Sequence, residues 1–65
     1  MKLIRKDNKI VNLETVDCIK RAIEENAYYI QFFYGNTMVS FNYESKSERD
    51  AKFKRICHIM AIESL

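Results

Sequence analysis

The side chains best suited to chemistry are Cys18, Cys57 and His58, and their spacing argues against most of it. Cys57 and His58 are neighbours in a stretch of helical character, where adjacent side chains diverge by about 100°. A zinc site needs three or four converging ligands, usually supplied as close pairs, and Cys18 stands alone. The same divergence keeps a Cys57 thiolate away from a His58 base, which must lie within hydrogen-bond reach for nucleophilic catalysis. Carboxylates are plentiful, but no motif fixes a pair. A single glycine, Gly35, cannot build a phosphate-cradling loop. The expectation is therefore no catalytic residue, no metal and no cofactor, with Cys57 packing as a small hydrophobe.

Two binding chemistries remain. Single-strand nucleic-acid binders place exposed rings beside cations, so that bases stack while phosphates pair. Tyr29 and Phe33 offer rings, and Lys2, Arg5, Lys6, Lys9, Lys20 and Arg21 are the candidate cations. No RNP motif, zinc finger or helix-turn-helix signal accompanies them, and an RRM needs a different element order and a longer chain. The formal net charge of +2 permits an acidic partner without demanding one. The second chemistry is self-association. Tyr29, Phe33 and Met38 form the candidate interface, because an uncovered apolar sheet face marks a contact surface. A homodimer is the first expectation, as the commonest symmetric assembly.

These residues are positioned by one stretch, Tyr28 to Tyr43. Two aromatic and β-branched runs flank Gly35-Asn36, the signature of a two-residue hairpin turn. That turn places Phe33 opposite Met38 and Ile30 opposite Phe41. Alternation then puts Tyr28, Ile30, Phe32, Tyr34, Val39, Phe41 and Tyr43 on one face, which must be buried. Tyr29, Gln31, Phe33, Met38, Ser40 and Asn42 share the other.

The rest of the chain supplies partners for that hairpin. Residues 2–5 and 9–12 read as short strands around an Asp7-Asn8 turn, with Ile4 opposite Val11. Residues 13–26 are ambiguous. Leu13, Val16, Ile19 and Ile23 recur at helical spacing, whereas alternation of Ile19, Arg21 and Ile23 supports a strand over 17–23. The strand reading is preferred because it keeps connections short and puts a neighbour beside residues 28–34. Ser45-Lys46-Ser47-Glu48 matches a capping box and opens a helix over 46–63. Phe53, Ile56, Cys57 and Met60 form its apolar stripe, with Ile59 at the edge. Lys54, Arg55 and His58 lie opposite, with an anomalous Ile62. Glu44, Glu48, Asp50 and Glu63 nearly balance that basic side, which therefore reads as solvated rather than membrane-binding.

The 65 residues make one small α+β domain, 1–65: an antiparallel sheet of strands 2–5, 9–12, 17–23, 28–34 and 37–43, covered on one face by a C-terminal helix. The sparse cysteines argue against a disulfide-stapled secreted scaffold. No apolar stretch approaches the length of a membrane span or follows Met1 as a signal segment. The expected setting is the cytoplasm. The expected role is a small accessory or regulatory protein acting through protein contacts, with nucleic-acid binding as the alternative.

Overall fold

The computed structural model describes residues 2–65. Five strands precede one helix: β1 (Leu3–Lys6), β2 (Lys9–Asn12), β3 (Cys18–Glu24), β4 (Ala27–Tyr34), β5 (Thr37–Tyr43) and α1 (Lys46–Ile59). The expected order of elements holds, and the helical alternative for 13–26 does not. Helix formers in β3 yield to pairing: Ile19, Arg21 and Ile23 lie opposite Phe32, Ile30 and Tyr28 of β4. Strand preference is decided by such neighbours more than by intrinsic propensity.

The strands form two ladders rather than one. β1 pairs only with β2, and β3, β4 and β5 form a separate antiparallel meander in that order. In the β4–β5 hairpin, Phe33 pairs with Met38, Ile30 with Phe41 and Tyr28 with Tyr43, the register that Gly35-Asn36 requires. Gly35 adopts φ 51, where a side chain would be strained. The β3–β4 turn has positive φ at both Glu25 and Asn26, the pattern of a type I′ turn. Asn tolerates that region far better than Glu.

Residues 13–17 form the junction between the ladders. Leu13 N–H donates to the Lys2 carbonyl (2.8 Å), and Asp17 N–H donates to the Phe33 carbonyl (2.8 Å). The Asp17 carboxylate accepts from Gly35 N–H. Residues 13–17 thus fold across the meander and end at the β4–β5 turn, leaving the first hairpin on top of the sheet. Leu13 and Val11 are buried there with Ile30, Phe32, Phe41, Tyr43 and Ile56.

One face of the meander is therefore covered by two elements, α1 and the β1–β2 hairpin with its following loop. Phe32 and Phe41 meet edge-on at the centre, with ring centroids 4.8 Å apart. The buried helix positions are Arg49 and Ile56, with Phe53 and Met60 packed beside them. Arg49 is an exception to the apolar stripe. Its Nη1 donates to the Ala22 carbonyl (2.8 Å), and its Nε and Nη2 reach Asp50 Oδ1 at 3.1 and 3.0 Å. The guanidinium also lies over the Tyr28 ring. A buried charge needs such partners.

At the helix start, Ser45 Oγ accepts from Glu48 N–H (3.1 Å), as the capping box requires. The helix ends at Ile59, four residues before the expected 63. Ala61 takes φ 55, Ala61 N–H donates to the His58 carbonyl and Ile62 N–H to the Cys57 carbonyl. This is a Schellman cap with alanine in the position that glycine usually fills. Ile62 lies beyond the helix, which removes the anomaly of an apolar residue on its charged side.

Candidate functional site

The second face of the meander carries the candidate interface. Pairing and alternation arrange it as three rows across β3, β4 and β5: Cys18–Phe33–Met38, Lys20–Gln31–Ser40 and Ala22–Tyr29–Asn42. All three expected interface residues are brought onto this one surface. None belongs to the buried cluster or to the side chains packed against it. Met38 is 46% exposed, while Phe33 and Tyr29 are half-buried by their neighbours in the sheet. Ser40 Oγ donates to Met38 Sδ at 3.0 Å. A polar row thus separates two rows that each hold an aromatic ring.

The six candidate cations do not gather around those rings. Lys20 alone sits on this face, with Nζ 5.3 Å from the Phe33 ring centroid, within cation–π range. Arg21, one residue on, points to the covered side, where it meets Asp50 (3.4 Å) and lies over Phe53. Lys2 Nζ donates to the Ile59 carbonyl at the C-terminal end of α1 (3.1 Å), where a cation complements the helix dipole. Lys9 Nζ donates to the Ser40 carbonyl (2.7 Å), tying the first hairpin to β5. Lys6 pairs with Asp7 (3.5 Å) and lies over the Tyr43 ring. Arg5 and Lys6 border a groove beneath α1, on the opposite side of the meander. A spread of basic residues along the chain cannot reveal this partition, because strand alternation and the docking of the first hairpin decide it.

Neither cysteine is in a disulfide: Cys18 is exposed beside Phe33, and Cys57 is partly covered on α1. Among the described residues no three His, Cys, Asp or Glu side chains converge as a metal site would require. The one perturbed acid is Asp50. Partial desolvation acts to raise its pKa, but the hydrogen bond and charge of Arg49, with Arg21 and Lys46, hold it below the usual carboxylate range. These contacts explain the shift as a structural ion cluster joining α1 to β3. No helix among the described residues is long and apolar enough to cross a membrane. The chain matches no family model, no curated protein and no solved structure.

Proposed function

We propose that this chain is a non-catalytic interaction module of the cytoplasm, self-associating through the open face of the meander. The observation that supports it is the coplanar set Tyr29, Phe33 and Met38, with both covering elements on the other side of the sheet. The size of the face sets the strength of the contact. Three strands of seven or eight residues span about 15 by 25 Å, a footprint of roughly 375 Å². A stable interface buries about 800 Å² per partner. Self-association through this face alone is therefore weak, in the micromolar range or above, and reversible with concentration.

A second reading uses the same face for single-stranded nucleic acid, with Phe33 as a stacking platform and Lys20 beside it to meet a phosphate. Its remaining cations are dispersed, which favours the first reading.

Sedimentation velocity of wild type and Phe33→Lys over a wide concentration range tests the proposal. Wild type should gain mass with concentration and the variant should remain monomeric. A folded wild-type monomer at every concentration refutes self-association, and a variant as oligomeric as wild type moves the contact to a sheet edge. Fluorescence anisotropy with labelled single- and double-stranded oligonucleotides tests the second reading. Binding should fall steeply with salt as counterions are released, and no binding at low salt removes it.

A further inference from the structure

Between β1 and α1 runs a groove of ≈ 350 Å³, on the far side of the meander from the open face. Its two walls are built by different periodicities. On α1, Glu48, Lys52, Arg55 and Ile59 follow one another at helical spacing, one position beside the buried stripe. On β1, Ile4, Arg5 and Lys6 form the facing wall. The floor is the covered face of β5, through Phe41 and Tyr43, together with Ile56. A groove of this size lies at the lower end of the range that takes small molecules.

Its charge is one-sided. Four of the chain's eleven Lys and Arg residues line it, but only one of its nine carboxylates. The remainder of the chain is close to neutral, so the basic excess is concentrated here. Lys6 has its exposed partner Asp7. Among the described residues Arg5, Lys52 and Arg55 have neither an ion pair nor a side-chain hydrogen bond. Burial and the nearby Glu48 carboxylate raise the Tyr43 phenol pKa. Cations on both rims, with the half-buried Ile4 and Ile59 among them, match a ligand with an anionic head and a hydrocarbon body.

We propose that the groove binds a free aliphatic carboxylate, with the carboxylate held by Lys52 and Arg55 from α1 and Arg5 from β1, and the alkyl chain laid between the half-buried Ile4 and Ile59. A nucleic acid fits this site poorly, because the Phe41 and Tyr43 rings are only 3% and 6% exposed and cannot stack with bases. A bilayer headgroup fits less well than a free chain, because the apolar floor lies between two walls rather than on a convex surface. The site is independent of the self-association face, so either reading can fail alone.

The test is a titration of the isotopically labelled full chain with decanoate below its micellar concentration, followed by amide chemical shifts. Saturable shifts should cluster at Arg5, Lys6, Tyr43, Lys52 and Arg55, leaving Tyr29 and Phe33 unmoved. Decanol should bind several-fold more weakly and decylammonium should not bind. Reversing both helix charges, Lys52→Glu with Arg55→Glu, should weaken decanoate by about tenfold or more. Arg5→Glu, on the other wall, should weaken it in the same direction. All three positions are exposed, and a dispersed amide spectrum verifies each fold. Absence of saturable decanoate shifts, shifts confined to the open face, or equal affinity in the folded variants overturns the proposal. So does binding to phosphatidylglycerol vesicles without binding to free decanoate, which would assign the cations to a membrane surface.

Discussion

Replacing Phe41 by alanine should remove most or all of the stability of this chain, while the same change at Phe33 should be nearly silent. Phe41 is 3% exposed and meets Phe32 at a centroid distance of 4.8 Å. Truncating such a ring costs about 3–5 kcal/mol through lost transfer energy and the cavity left behind. The edge-to-face contact accounts for about 0.5–1.5 kcal/mol of interaction beyond area. A single core in a chain of this length rarely supplies more than about 3–5 kcal/mol in total. Phe41→Ala should therefore be largely unfolded in buffer, and Phe41→Leu, losing about 1–2 kcal/mol, gives a measurable intermediate. Phe33 lies on the opposite face, half-buried, so Phe33→Ala should cost about 1 kcal/mol or less. Urea denaturation followed by circular dichroism, at concentrations where the chain is monomeric, gives all three values. A loss under about 1 kcal/mol for Phe41→Ala, or equal losses at the two positions, would refute the face assignment.

Ala61→Gly should stabilise the protein by about 0.5–1 kcal/mol, since glycine relieves the left-handed strain of the Schellman cap; an unchanged or lower urea midpoint rejects the strain argument. Asp50 carries a pH signature. Its folded pKa is depressed, so its contribution is fully present above the unfolded carboxylate range and is lost as pH falls through the folded value. The gap in urea midpoint between wild type and Asp50→Asn should be widest near neutrality and narrow in acid, and a gap independent of pH contradicts the ion-cluster reading.

Much of the meander was legible because its determinants are local. Gly35-Asn36 sets the register of β4 on β5, and alternation then assigns every side chain from Tyr28 to Tyr43 to a face. Asp7-Asn8 does the same for Ile4 and Val11. What escaped was set elsewhere. The helix end at Ile59 lacks a glycine, so a left-handed alanine supplies a stop that no residue type announces. Arg49 is buried because Ala22, Asp50 and Tyr28 converge on it from three elements, and charge alone reads as exposure. The division into two ladders is set by residues 13–17 between them, whose Asp17 bonds to Phe33 and Gly35 far along the chain. The open face was anticipated residue by residue, whereas its cations were scattered by alternation, as Lys20 and Arg21 illustrate.

Because β1 and β2 share no ladder with the meander, the molecule contains two hydrogen-bonded units of unequal security. The first hairpin is held by its buried Val11 and Leu13, by Lys9 on Ser40 and by the strap through Asp17. It can lift away without breaking a ladder bond among β3, β4 and β5. Amide protons of Leu3–Lys6 and Lys9–Asn12 should then exchange with solvent through a partial opening, while those of β4, paired on both sides, wait for global unfolding. The same opening would dismantle the β1 wall of the groove while leaving the open face of the meander intact.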